Sequence, residues 1–384
     1  MINYEYPPIG GGSGNATAHL LEALRGYPEL EIDLLTSGVG SKLEWRNLSD
    51  TIRIALLPIE KKDLHFWTGR EIAAWWIRAW AFARRLTASR SYDLCHCWSG
   101  WPSGVIGHLL RRRQPYLVAL RGSDVPGYSA RLALLDRLVL RALSRRVWKG
   151  ASAVTALSHQ LLDLARSTLP GLSARVVYNG VDSQKFTPGE HEVETFTLLF
   201  VGRLIQRKGI QPLLEGFARL VERSPACRLV VVGGGPDQPL AEELVERLGI
   251  ARQTRLVGGV PHDRLPDFYR DASVFVLPSI HEAQSNVLLE AMASGLPTIT
   301  TRTGAAELIE ACGIVIDELD PQSICEAALV YRSNPEMRAR HGANARTRAE
   351  SLTWDETARQ YVEIYRQALG SENGPSNRAV ERQA

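Results

Sequence analysis

Glu282 and Glu290 stand with seven residues between them in the run 281–297, His-Glu-Ala-Gln-Ser-Asn-Val-Leu-Leu-Glu-Ala-Met-Ala-Ser-Gly-Leu-Pro. On a single helix they would lie ~12 Å apart along the axis and point ~80° apart, too far to share a small ligand. A strand-like run, 273–277, comes just before them. The helical pattern Val287, Leu288, Ala291, Met292 follows, and Gly295 with Pro297 stops it. The spacing therefore predicts a loop that folds back at Glu282 and a helix that starts near Ser285 or Asn286. Such a start offers unpaired N–H groups and a positive dipole end, which suit a phosphate. One acid before the helix and one inside it can then grip hydroxyls on either side of that phosphate. The plain alternative is an amphipathic helix carrying surface carboxylates.

Other residues point to the same chemistry. Arg203 and Lys208 follow the strand-like run 196–201. Two cations at a strand-to-helix junction can neutralise a diphosphate and stabilise it as a leaving group; a solvated pair is the alternative. Gly11 and Gly12, in Ile9-Gly-Gly-Gly-Ser-Gly-Asn15, open a helical pattern through His19, Leu20, Leu21 and Leu24. A glycine turn there lets backbone N–H groups approach an anion, or is simply a tight turn. It departs from G-x-G-x-x-G, because the third glycine would fall at Asn15, so a dinucleotide cofactor is not expected. Arg121 and Asp124 follow the strand-like run 116–120, at an end that faces the ligand crevice in parallel sheets. Arginine cannot act as a base near pH 7, so Arg121 reads as a holder of substrate charge. Asp124 orients an acceptor or Arg121, or stabilises a turn. Cys95-His96-Cys97 alternates along a strand and has no second ligand pair at zinc spacing, so it reads as buried strand residues.

The stretch around Glu282 and Glu290 resembles the E-x7-E motif of retaining glycosyltransferases, especially glycosyltransferase family 4, which has the GT-B fold. Further stretches resemble that family in the same order along the chain. Val201–Gly209 is similar to its G-R-x-x-x-x-K-G motif, and Val232-Gly-Gly-Gly-Pro236 to its G-x-G-P turn, with Gly234 at a position that is usually acidic. Leu256-Val-Gly-Gly-Val-Pro261 resembles its base-holding loop, and Tyr178-Asn-Gly-Val-Asp182 with Phe186 its N-G-V-D-x-x-x-F turn, read as structural. His96 and Trp98 match its H-x-H strand end, with Trp98 replacing the second histidine, and Arg121 stands where many members carry a histidine.

The resemblance implies two Rossmann-like α/β domains whose parallel sheets face an interdomain cleft. It implies transfer of a sugar, with retention, from a UDP- or GDP-type sugar to an acceptor hydroxyl in glycan, glycolipid or exopolysaccharide synthesis. Glu290 would hold the ribose and Glu282 the donor sugar. Arg203 and Lys208 would stabilise the departing diphosphate, helped by Ser285 and Asn286. Gly11, Gly12, Gly235 and Val260 would line the donor, and Arg121, Asp124 and His96 the acceptor side, although His96 also reads as a core histidine. The family's favoured route is front-face substitution, and no protein nucleophile stands out. No D-x-D motif lies at a strand end and no pyridoxal-lysine motif is present, so neither metal nor cofactor is expected. The expected partners are the nucleotide sugar and a lipid-linked or saccharide acceptor, with no nucleic acid. Three alternatives stay open: a binding protein without turnover, transfer to a small metabolite, and a phosphorylase- or epimerase-like use of the same cleft.

Apolar strand-like runs must position these residues. In the first half they are 31–36, 93–98, 116–120 and 153–156; in the second, 196–201, 228–233, 254–257, 273–277 and 298–301. Helical patterns alternate with them, which predicts parallel sheets covered on both faces. Periodicity fails at 182–195, around Pro188-Gly189. The domains are therefore expected at 1–185 and 190–352. A helix over about 354–370 resembles the family's C-terminal helix and would complete the first domain. Residues 371–384 read as a disordered tail.

A chain of 384 residues with 45% apolar and 23% charged content suits two ordinary globular domains. Five scattered cysteines suggest a reducing compartment, hence the cytoplasm. No secretory leader or membrane-spanning run is evident. Residues 1–190 hold 24 Lys and Arg against 16 Asp and Glu, so the first half is basic within a net charge of +3. That fits an anionic partner, or contact with the inner face of a membrane, and equally a merely solvated surface. The segment bearing Trp67, Trp75, Trp76 and Trp80 reads as a sheet-covering helix buried through Ile72, Trp75, Trp76, Ala79, Ala83 and Leu86, with an interfacial helix as the alternative.

Overall fold

The computed structural model describes residues 1–61, 63–64, 66–129, 132–189, 195–303 and 306–370. The proposed tail, 371–384, lies outside them. The chain forms two compact units: Met1–Tyr178 with the stretch from Trp354 onward, and Asn179–Thr353. Residues 179–185, assigned from sequence to the first domain, pack with the second. Val181 pairs with Thr353, and Asn179 is bonded to Gln284 and Asn286.

In the first unit, β1 (Ile32–Gly38) pairs in parallel with β3 (Ile52–Pro58), and β2 (Glu44–Asn47) pairs antiparallel with β3. A second run joins β4 (Cys95–Cys97), β5 (Tyr116–Leu120), β6 (Ala153–Ala156) and β7 (Arg175–Val176), all parallel. Ile2 bridges to both Leu35 and Cys97, so residues 1–3 stitch the two runs together. The helix Trp354–Ala368 packs Ala358, Tyr361, Val362 and Tyr365 into the same core as Leu20, Trp98 and Leu117.

The helix Gly69–Ser89 starts with a capping box, in which Thr68 and Glu71 satisfy each other's backbone N–H groups. Its buried face is narrower than the sequence pattern predicts. Only Trp75, Ala79 and Ala83 are fully covered, whereas Ile72, Trp76 and Leu86 are half-exposed. Trp76 and Trp80 stack on each other instead, with centroids 6.2 Å apart.

The second unit is built on six parallel strands: β8 (Phe196–Val201), β9 (Cys227–Val232), β10 (Thr254–Gly258), β11 (Val274–Leu277), β12 (Thr298–Thr301) and β13 (Gly313–Ile316). Their spatial order is β10-β9-β8-β11-β12-β13. The helix Ile210–Arg223 buries Ile210, Leu213, Leu214, Phe217 and Leu220, spaced three and four apart as one helical face requires. From β8 the chain builds outward to β9 and β10, then returns to the other side of β8 for β11, β12 and β13. The order therefore reverses between β8 and β11. In open α/β sheets, ligands bind outside the carboxyl ends of the strands at such a reversal. The segments that leave those two strands are 202–209 and 278–285.

Candidate active site

These two segments are laced together. The N–H of Ile280 donates to the carbonyl of Arg207 at 2.8 Å, and the Arg207 guanidinium donates to the carbonyl of His281 at 3.2 Å. Gly209 is left-handed at φ 70°, and a Cβ there would sit 2.0 Å from the Pro278 carbonyl oxygen, so only glycine permits this approach. The result is that Lys208 donates to Glu282 in an ion pair with both side chains about nine-tenths buried. Ser279 Oγ also reaches Glu282, at 3.4 Å. Arg203 lies on the same segment but is exposed. The two cations are therefore not equivalent: one is buried on a carboxylate and the other faces solvent.

The helix spans Asn286–Ala293 with Ser285 as its N-cap, where the sequence pattern places it. Ser285 makes no side-chain capping bond. The loop before the helix is held by Asn179. Its N–H donates to Gln284 Oε1 at 2.6 Å, and its amide donates to Asn286 Oδ1 at 2.8 Å.

Glu290 is buried within this helix and engages different partners from Glu282. Tyr269 Oη donates to Glu290 Oε2 at 2.9 Å, and His262 Nε2 lies 3.0 Å from Oε1. Burial, and then the neighbouring Glu290 charge, hold the Tyr269 phenol well above its ordinary value, so the phenol keeps its proton. Tyr269, His262, Gln284 and Asn179 did not emerge as site residues from sequence reasoning. The Asn179 turn reads as structural from sequence, Gln284 lies inside the Glu282–Glu290 run without a role of its own, and no motif marks Tyr269 or His262.

Gly233 and Gly235 take positive φ beside the end of β8. A Cβ on either would fall 1.9 Å from the Gly202 carbonyl oxygen or 2.4 Å from that of Leu204. The N–H of Leu204 donates to Gly234 at 2.9 Å, so this turn fixes the segment carrying Arg203. Val260 is half-buried in the loop after β10, two residues before His262.

Gly11, Gly12, Arg121, Asp124 and His96 belong to the first unit. Gly11 caps the helix Gly12–Leu24, and a Cβ on Gly11 would meet nothing within 4 Å. Asp124 is buried and accepts N–H bonds from Gly100 at 2.5 Å, Arg121 at 2.9 Å and Gly122 at 2.8 Å. It pins the turn after β5, the second of the roles weighed for it. Arg121 lies over the Trp98 ring, 4.2 Å from its centroid, and is hydrogen-bonded to Tyr361. Burial pulls Arg121 down to about 10, which leaves it cationic at neutral pH.

His96, placed from sequence on the acceptor side, is a core residue. It is buried, bonds Tyr365 Oη through Nδ1 at 2.8 Å and packs against Trp98 and Tyr361. Desolvation, then the N-terminal charge and Arg121, hold His96 well below 6.5. The unfolded state therefore binds a proton that the folded state refuses, and stability is lost as pH falls through the unfolded value. His96 alone should contribute a slope approaching ~1.4 kcal/mol per pH unit below pH 6.5. All nine tryptophans lie in the first unit, so urea unfolding followed by their fluorescence isolates it. His96→Gln should flatten the profile between pH 7.5 and 5.5, and an unchanged slope would contradict the assignment.

Comparison with known proteins shows the family. The family described as Glycosyl transferase 4-like domain matches residues 11–180, and Glycosyl transferases group 1 matches residues 195–334. A D-inositol 3-phosphate glycosyltransferase from Thermobifida fusca is 31% identical over 73% of this chain and 70% of its own length. The chain belongs to the group 1 glycosyltransferases. Among solved structures, sucrose-phosphate synthase from Thermosynechococcus elongatus superposes on this glycosyltransferase with a TM-score of 0.81 at 22% identity, covering 97% of this chain and 98% of its own. Anabaena HepE in complex with UDP-glucose gives 0.72 at 18% identity, covering 95% and 98%. These structures establish a shared fold of two α/β domains with parallel sheets. Among the described residues, no helix is long and apolar enough to cross a membrane.

Proposed function

We propose that this glycosyltransferase is a retaining enzyme of glycosyltransferase family 4 that moves a hexosyl-type sugar from a nucleoside diphosphate sugar to an acceptor hydroxyl. The observation that carries this reading is the buried Lys208–Glu282 pair beside the helix start at Ser285–Asn286, where the strand order reverses. Lys208, Arg203 and the positive dipole end of that helix stabilise the diphosphate as it departs. Glu282 accepts hydrogen bonds from donor-sugar hydroxyls, and Glu290 from the ribose. Gly235 and Val260 line the nucleotide. The bond from the anomeric carbon to the phosphate oxygen breaks, and its electron pair leaves with the diphosphate. The acceptor oxygen bonds to the same face of that carbon and gives its proton to a phosphate oxygen. Positive charge comes from protein groups, so the proposed reaction requires no divalent metal or cofactor. The names of the relatives and the HepE complex support a nucleotide-sugar donor.

Incubation with UDP- and GDP-sugars and simple glycosyl acceptors, followed by proton NMR of the anomeric signal, tests the stereochemistry. The expected product keeps the donor configuration, and an inverted product would overturn retention. Binding without any sugar release or transfer would favour a non-catalytic binding protein.

We place the acceptor among lipid-linked or saccharide hydroxyl compounds, used where the first unit touches an anionic cytoplasmic membrane face. Leu134 and Leu138 are 72% and 68% exposed, and Arg137 and Arg141 are exposed between and beside them, a pairing that suits an anionic bilayer surface. Co-sedimentation with phosphatidylglycerol vesicles but not with phosphatidylcholine vesicles is expected, and equal partition would contradict it.

A further inference from the structure

We propose that Lys185, His262 and Tyr269 form a positioning relay that fixes the Glu290 carboxylate to receive a ribose diol. This inference rests on the reading of Glu290 as the ribose acceptor and deepens it.

The hydrogen bonds dictate their own direction. His262 Nδ1 lies 3.1 Å from Lys185 Nζ, and a lysine ammonium has donors only. Nδ1 must therefore accept, which leaves the ring proton on Nε2. Nε2 is 3.0 Å from Glu290 Oε1 and donates to it. The Tyr269 hydroxyl keeps its proton and donates to Oε2 at 2.9 Å. Each carboxylate oxygen thus receives one protein hydrogen bond and retains acceptor capacity. In the proposed complex each oxygen uses that remaining capacity for one of the two ribose hydroxyls.

The supports are themselves packed. The Phe186 ring meets His262 edge-on at 5.5 Å and Tyr269 edge-on at 5.7 Å. Tyr269 is fully buried and also contacts Phe275. Lys185 and Phe186 belong to the stretch that the sequence assigned to the junction between domains. Here they hold a carboxylate in orientation, as second partners of metal-binding histidines do.

The test uses the folded full chain, the nucleosides uridine and guanosine, and two pairs of diphosphates: UDP with 2′-deoxy-UDP, and GDP with 2′-deoxy-GDP. Affinities come from calorimetric titration. The wild type should prefer one ribonucleotide to its deoxy form by about tenfold. Tyr269→Phe and His262→Leu should each erase most of that preference while leaving the gain from nucleoside to diphosphate intact. His262→Gln restores an amide donor and should recover much of it. His262 is partly exposed, so its variants report even if Tyr269→Phe fails to fold. Variants that fold and keep the wild-type ribose preference would overturn the relay alone. A wild type that binds a diphosphate without ribose preference would overturn the ribose role of Glu290 and the relay together. Failure to bind either diphosphate would remove the donor reading as well.

Discussion

Lys208→Met is expected to lower the rate of sugar transfer by about 10²- to 10³-fold, the range found when one preorganised charge-stabilising donor is removed from an active site. Lys208 is held in place before any donor arrives. It is nine-tenths buried, paired with Glu282, and carried on a segment that Gly209 brings against Pro278. An ammonium has three donors, so Lys208 can keep Glu282 and still meet a phosphate oxygen. The effect should fall on turnover more than on donor KM, because charge on the bridging oxygen grows as the glycosidic bond breaks. Arginine should not substitute, since its planar fork is longer and does not fit a site shaped for a point charge. Arg203, exposed on the same segment, should matter less. Steady-state kinetics with the donor that the wild type uses would check this. Full turnover in Lys208→Met would remove the residue from the chemistry.

The second large effect concerns stability, and it separates folding from catalysis. Lys208→Met leaves the Glu282 carboxylate buried without its cation. Breaking a buried pair from one side costs about 3–5 kcal/mol. Replacing both partners with apolar groups of similar volume is often neutral or stabilising. Lys208→Met/Glu282→Leu should therefore recover most of the stability lost in the single variant and remain inactive. Tryptophan fluorescence is blind to this unit, so calorimetry or far-UV circular dichroism must follow the transition. Equal losses in the single and double variants would mean that the pair is not coupled as described. Recovered activity in the double variant would mean that it is not catalytic.

Legibility in the sequence varied with range. The runs 116–120, 153–156, 196–201 and 298–301 coincide with β5, β6, β8 and β12, the first three as largely apolar stretches and the last as a buried run of β-branched Thr and Ile. The run Ile52–Pro58 is as apolar as these, yet sequence reasoning passed over it. β7, at two residues, falls below what a pattern can signal, and the four-residue β13 was passed over like Ile52–Pro58. The exposed edge strand β2 carries no apolar alternation. At the site, the start of the helix at Asn286 was legible from local signals. The identity of each partner was not. Lys208 and Glu282 are 74 positions apart, and Lys185 and His262 are 77 apart. Local periodicity carries no information at that separation. The core reading of His96 was legible from its strand, but its partners, Tyr361 and Tyr365 from the far end of the chain, were not.

The central claim is that the second unit contains an anion site for a nucleoside diphosphate, built on Lys208 and the helix start at Asn286. Calorimetric titration of the full chain with uridine, UMP and UDP, and with the guanosine series, tests it most directly. For one series, affinity should climb at least ~100-fold from nucleoside to diphosphate, about 2.7 kcal/mol, and Lys208→Met should abolish most of that climb. Equal affinity along both series, or a climb that survives in Lys208→Met, would contradict the account.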